Sequence, residues 1–275
     1  MTGPCILAAL AGIFVALSAI MAGAWLVQQR TGNSGWVDTI WTFGLGGTGL
    51  VAALVPVDGE GLSSRQYVAA AFMLCWSLRL GLHIAQRTRG ITDDPRYADM
   101  ERRWGADAPR RMFWLLQKQA WVTIPLALAI FLAAHNPAPG LGRQDAAAIL
   151  VLIVALGGEA LADRQLRAFR ADPVNTGRVC DVGLWSWSRH PNYFFEWFGW
   201  LGYPLLAIDL SGGYGWGYLA LLAPAVMYWL LVHVSGIPPL EEHMLRSRGE
   251  AFRAYQRRTS AFFPLPPHRP DGSAS

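Results

Sequence analysis

Seven predominantly apolar stretches, each close to the length that a helix needs to cross a bilayer, follow one another along this chain at 5–29, 36–57, 66–84, 113–134, 145–161, 193–208 and 214–234. Lipid offers no partners to backbone N–H and C=O groups, so segments of this kind must satisfy themselves as helices. The predicted fold class is therefore an all-α polytopic membrane protein with seven transmembrane helices. Composition excludes the soluble alternative: 53% of the 275 residues are hydrophobic and 15% are charged, too little polar surface to cover a water-soluble globule. No Lys or Arg precedes the first apolar run, which argues for a retained span and against a secretory signal. Cys5, Cys75 and Cys180 lie far apart and form no CxxC pair, so neither a disulfide framework nor a metal site is expected.

The basic residues supply an orientation. With seven spans, twenty of the 23 Lys and Arg residues fall on one side, Arg65 and Arg143 on the other, and Arg79 inside the third span. Cytoplasmic loops carry the excess of Lys and Arg, so the amino terminus is expected outside and the carboxyl terminus in the cytoplasm, in a membrane of the bacterial inner-membrane type. The same residues are thereby explained without a nucleic-acid partner. The cytoplasmic segments 85–112, 162–192 and 235–275 are long and rich in Asp, Arg, His and Trp, and function in a scaffolded protein tends to sit on such segments. The residues after Pro267 read as a disordered tail.

Gly44, Gly46 and Gly49 satisfy a GxGxxG spacing, but they lie inside an apolar span rather than at a strand–turn–helix junction. Close helix packing through small residues accounts for them better than a dinucleotide fold does. The densest polar cluster, Ser188-Arg189-His190-Pro191-Asn192-Tyr193-Phe194-Phe195-Glu196, stands where a cytoplasmic loop enters the sixth span. Arg189 and His190 suit phosphate or carboxylate, Pro191 suits a first helical turn, and Asn192 and Glu196 share a helical face. An interfacial anchor explains Arg189, Tyr193 and Trp197 but not Glu196, since an acid one turn inside a membrane helix is costly without a function or a partner. Upstream, Glu159 and Asp163 share a face at i, i+4, with Arg170 and Arg178 following. Downstream, Pro238-Pro239 breaks the seventh span, and 240–258 reads as an amphipathic interfacial helix carrying Glu241, Glu242, His243, Tyr255 and Arg258.

The run from Glu159 to Pro264, with SRHPNYFFEW, then EE, then YQRRTSAFFP, resembles the carboxyl-terminal half of the steroid 5α-reductase superfamily. It is most similar to the bacterial domain-of-unknown-function branch, whose substrate is unassigned. The resemblance implies that 135–267 forms a half that encloses NADPH, that 1–134 supplies helices around a substrate cavity, and that 268–275 is a tail. It carries a cofactor role onto Glu159, Asp163, Arg170, Arg178, Asn192, Glu196 and Tyr255, with Arg189, His190, Tyr193 and Arg258 beside them. The RHPNY and EE elements also resemble prenyl-cysteine carboxyl methyltransferases and phospholipid methyltransferases, which bind S-adenosylmethionine, and RHPNY is shared with sterol C14-reductases, which use NADPH. Several arginines in one place favour NADPH, because its phosphates need cationic partners and S-adenosylmethionine carries none.

The amino-terminal half departs from the reductases. They place a Gln-Glu pair in the second span and a Tyr in the third, where this chain has Asp38 and Trp41, then His83 and Arg87, with Ile84 in the place of the Tyr. The implied activity is reduction of an activated carbon–carbon double bond in a steroid- or isoprenoid-like lipid drawn from the bilayer. His83 or Arg87 would stabilise charge on the substrate oxygen, and Asp38 would orient one of them. An S-adenosylmethionine-dependent lipid or prenyl-cysteine methyltransferase and a non-catalytic membrane scaffold are the alternatives.

Overall fold

The computed structural model describes residues 2–57 and 61–268. Its regular structure among these residues is helical, apart from an isolated parallel bridge between Ser188 and Ser260. The α-helices are α1 (Gly3–Thr31), α2 (Gly35–Leu54), α3 (Ser64–Arg89), α4 (Pro95–Trp104), α5 (Ala108–Val122), α6 (Ile124–Ala134), α7 (Arg143–Ala171), α8 (Pro191–Trp200), α9 (Gly202–Ala207), α10 (Leu222–Trp229), α11 (Ile237–Arg248) and α12 (Glu250–Arg258). Among the described residues, six helical segments are long and apolar enough to cross a membrane: Gly3–Thr31, Gly35–Leu54, Ser64–Arg89, Arg96–Ala134, Arg143–Ala171 and Gly215–Arg248.

Local chemistry sets the boundaries. Ser63 opens α3 with a reciprocal cap: its Oγ accepts from Gln66 N at 3.3 Å while its own N–H donates to Gln66 Oε1 at 2.9 Å. Gly32 ends α1 at φ +66°, a conformation open to glycine, and donates to Gln28 O at 2.9 Å. The stretch 193–208, expected as one span, instead forms α8 and α9 around a turn at Leu201. Pro204 has no N–H for the carbonyl of Trp200 and its ring crowds it, so a single straight helix cannot run through this stretch. The interfacial helix expected over 240–258 is two helices, α11 and α12, separated by Gly249 at φ +51°. Of the tail expected over 268–275, positions 269–275 lie outside the described residues.

The chain divides into two compact units, Met1–Ala148 with Tyr203–Val226, and Ile149–Gly202 with Met227–Ser275. In the first, α6 is buried from Leu126 to Ala134, and α2 packs on α1, α3 and α6. The glycines of α2 make that approach possible. A Cβ on Gly44 would lie 2.5 Å from Ile20 of α1, one on Gly46 2.0 Å from Ser77 Oγ of α3, and one on Gly49 2.7 Å from Ile130 of α6. The GxGxxG spacing is thus a helix-packing device here. At the opposite end of this unit from Asp38, Arg65 and Asp145 form a buried two-point pair, Nε to Oδ1 and Nη2 to Oδ2, each at 2.8 Å. In the second unit, α8 runs antiparallel to α7: a Cβ on Gly158 would meet Phe195, one on Gly202 would meet Leu152, and one on Gly199 would meet Ala155 at 3.1 Å.

Candidate functional site

The loop between α7 and α8 is tied down before the helix begins. Trp185 Nε1 donates to Ala162 O at 3.0 Å and Leu184 N to Gln165 Oε1 at 2.9 Å, which fold the loop back onto α7. Ser188 then lies beside Ser260: Arg189 N donates to Ser260 O at 2.8 Å, Ser188 Oγ to Phe262 O at 2.9 Å, and Leu265 N to Trp187 O at 3.0 Å. Tyr255, fully buried, donates its hydroxyl to Trp185 O, and burial pushes its phenol pKa up. Tyr255 is therefore a latch on this loop.

Arg189 and His190 turn towards α11 and α12. Arg189 grips Glu241 through Nε to Oε1 at 2.7 Å and Nη2 to Oε2 at 3.2 Å, and its Nη1 donates to the carbonyls of Gln256 and Thr259. Glu241 also takes His190 Nε2 at 3.0 Å and Gln256 Nε2 at 2.8 Å. Burial lowers the pKa of His190, the Glu241 carboxylate opposes that shift, and Arg189 adds to it. His190 Nδ1 is buried and has no hydrogen-bond partner among the described residues, so a neutral ring with its proton on Nε2 satisfies the geometry. Tyr193 stacks on the His190 ring at 5.6 Å. Arg258 donates to the Asp181 carboxylate and lies 6.0 Å from the Tyr255 ring centre.

Asn192 and Glu196 turn the other way, towards α7. Asn192 Nδ2 donates to Asp163 Oδ1 at 3.5 Å, a long bond, and both Asp163 and Glu159 are buried. One turn along each helix the antiparallel register brings Glu159 and Glu196 to the same height. Glu196 is buried and accepts from Trp200 Nε1 at 3.0 Å. Arg170, in the last turn of α7, and Arg178, in the following loop, are exposed and pair with no carboxylate among the described residues. The second unit therefore gathers Glu159, Asp163, Asn192 and Glu196 on one helix–helix face, while Arg189, His190, Tyr255 and Arg258 serve a brace between the loop and the last two helices.

The first unit has a polar cluster of its own at the start of α2 and the end of α3. Asp38 accepts from Arg96 Nη2 and, at 3.2 Å, from Tyr97 Oη, while Arg87 Nη2 lies 3.9 Å from Asp38 and 3.5 Å from Asp94. Arg96 also meets both oxygens of Asp94, at 3.0 and 2.9 Å. Burial raises the pKa of Asp94, but its hydrogen bonds to Arg96 and the Arg96 charge outweigh that and hold it low. Tyr97 is buried and receives Gln119 Nε2 at 3.1 Å. His83 sits one turn before Arg87 and is half-buried. Sequence reasoning selected Asp38, His83 and Arg87 but missed Asp94, Arg96, Tyr97 and Gln119. A signal was present in Asp94-Pro95-Arg96-Tyr97: Asp before Pro marks a helix start, which holds the next residues close to the cap.

The family model described as "Protein of unknown function (DUF1295)" matches residues 24–259. The chain belongs to this family. The matched range takes in every residue of both polar clusters, from Asp38 to Arg258. The chain is also 35% identical over 108 residues to "Uncharacterized protein C594.04c" of Schizosaccharomyces pombe, a match covering 38% of this chain and 28% of that protein. No solved structure matches.

Proposed function

We propose that this protein is an NADPH-dependent reductase, embedded in the membrane through seven crossings, that saturates an activated carbon–carbon double bond of a lipid. The supporting observation is the α7–α8 face, where Asn192 reaches Asp163 at 3.5 Å and two further carboxylates, Glu159 and Glu196, are buried one turn away. Together these groups offer acceptors and an amide of the kind that a ligand's hydroxyl and amide groups need.

The residues present fit the cofactor. Two of the arginines that suggest NADPH are already committed, Arg189 to Glu241 and Arg258 to Asp181. Arg170 and Arg178 are the cations left to meet phosphate groups, and S-adenosylmethionine has no phosphate to offer them. Asn192 and the buried carboxylates suit an amide and ribose hydroxyls. When bound, NADPH supplies a hydride. The protein's own contribution is to hold donors for the oxygen that activates the substrate's double bond. Arg87 and His83 at the end of α3 are suited to this, with Asp38 fixing Arg87 and Arg96.

Titration of the detergent-purified protein with NADPH and with S-adenosylmethionine tests the reading directly. NADPH is expected to bind, and Arg178→Ala and Asn192→Ala are each expected to weaken it about tenfold, the value of one hydrogen bond to a charged group. Binding of S-adenosylmethionine alone would replace the reductase with a methyltransferase, binding of neither would leave a scaffold, and unchanged NADPH affinity in both variants would remove the site.

A further inference from the structure

A cavity of about 430 Å³ opens on the first unit where α4 meets α5, and none of the residues assigned above lines it. Trp104 and Trp114 with Leu115 supply its apolar wall, and Arg110, Arg111 and Lys118 its charge. Arg110, Trp114 and Lys118 are spaced four apart and so share one face of α5. Arg111 is partly balanced by Asp107 at 3.6 Å, whereas Arg110 and Lys118 form no ion pair among the described residues. The indole of Trp114 is 48% exposed, against the preference of an aromatic ring for burial in a globular protein.

Position along the helix explains this combination. The apolar run begins at 113, so Arg110 and Arg111 precede it and Lys118 lies inside it, about 12 Å further along the axis at 1.5 Å per residue. Lys118 nevertheless lines the same cavity as the arginines, as a snorkelling stem allows, because hydrocarbon cannot solvate its ammonium. Both indoles line this cavity, and the membrane–water boundary is the level that Trp favours in a bilayer. This is also the end of the helices that carries the Arg-rich segment 87–118.

We propose that this cavity binds the headgroup of an anionic phospholipid, with Arg110 and Lys118 on its phosphate and Trp104, Trp114 and Leu115 against its glycerol and upper acyl chains. A free phosphate would satisfy the cations but leave the apolar wall uncovered, so the combined surface selects a lipid. The site is independent of the reductase reading.

Native mass spectrometry of the delipidated full-length protein, titrated with phosphatidylglycerol and with phosphatidylcholine, tests it. Phosphatidylglycerol, which lacks the choline cation that Arg110 and Lys118 repel, is expected to bind about tenfold more tightly, and Arg110→Gln with Lys118→Gln to abolish that preference. Arg110→Lys with Lys118→Arg, which keeps both charges, is expected to retain it, as is Arg253→Gln with Arg257→Gln, which removes the same charge from α12. The proposal is overturned if the neutral double variant binds as the parent does, if the α12 control loses as much, or if inorganic phosphate displaces the lipid at equal concentration.

Discussion

Glu241→Ala is the perturbation that most sharply separates a brace from a ligand site. Four hydrogen bonds converge on this carboxylate, two from Arg189 and one each from His190 and Gln256. The Arg189 and Glu241 side chains are 10% and 13% exposed, so truncation leaves a nearly buried guanidinium with only backbone carbonyls for partners. Removing one partner of a buried pair costs about 3–5 kcal/mol, and the residual exposure puts this one near the lower end. Glu250 provides the internal comparison: it pairs with Arg253 and Arg257 at 62–68% exposure, where such pairs are worth about 0–1 kcal/mol. Equilibrium unfolding in mixed micelles should therefore show Glu241→Ala losing at least about 2 kcal/mol more than Glu250→Ala. The double variant Arg189→Met with Glu241→Leu should be less damaged than Glu241→Ala, because no unpaired charge is left behind. Equal costs for Glu241→Ala and Glu250→Ala, or a double variant whose cost is the sum of its singles, would refute the brace and return Arg189 to the pool of ligand-binding residues.

Three further outcomes follow from the same structure. His190 has a folded-state pKa below its unfolded value of 6.5, so its contribution is complete above about pH 6.5 and is lost as acid protonates the unfolded chain first; pH-dependent unfolding should show this loss, and His190→Gln should remove it. Gly46→Ala places a Cβ 2.0 Å from Ser77 Oγ and should cost about 1–3 kcal/mol by overpacking, partly recovered by Ser77→Gly, while Gly47→Ala, with nothing within 4 Å, should be neutral or mildly stabilising in the same unfolding assay. Reporter fusions after Arg103 and after Ser275 should both report the cytoplasm, and a periplasmic signal from either would break the proposed orientation.

The helices were legible because a bilayer demands long apolar runs, and the glycines of α2 were legible because only packing explains GxGxxG within such a run. The break at Leu201 was less so: Pro204 was visible, but hydropathy averages over it. The polar cluster 188–196 was read as one site, yet it serves two faces. His190, at φ −137° and ψ 59°, is the non-helical residue just before α8 begins, and this change of direction sends Arg189 and His190 to α11 and α12 while Asn192 and Glu196 follow the helix towards α7. Adjacency in sequence carries no information about that turn. Nor could it reveal that Glu241, 52 residues beyond Arg189, is the acceptor that the arginine uses. The Asp94–Arg96–Tyr97 group was hidden for a related reason, since its tie to Asp38 spans 58 residues and exists only once α2, α3 and α4 are assembled.

The number of crossings turns on 191–207. If this stretch does not cross, the segment Gly215–Arg248 reverses direction, and the six basic residues from Arg246 onwards move opposite the eight of 87–118, which dissolves the charge asymmetry. If it crosses, twenty basic residues share one side and two the other. Seventeen residues at 1.5 Å rise cover about 25 Å, short of the usual 30 Å core, and the turn at Leu201 interrupts the helical hydrogen-bond ladder. Lipid would not tolerate exposed carbonyls at the end of such a segment. Gln144 and Asn136 meet this requirement: Gln144 Nε2 donates to the carbonyls of Leu205 and Ile208, each at 2.7 Å, and Asn136 Nδ2 to that of Leu206 at 2.9 Å. Two acceptors in the last turn, Leu205 and Leu206, and one just beyond it, Ile208, thus receive side-chain donors where the chain leaves the helix. A short, broken crossing at 191–207 would thereby be compatible with hydrocarbon, which supports the seven crossings proposed above, the count that keeps twenty basic residues on one side.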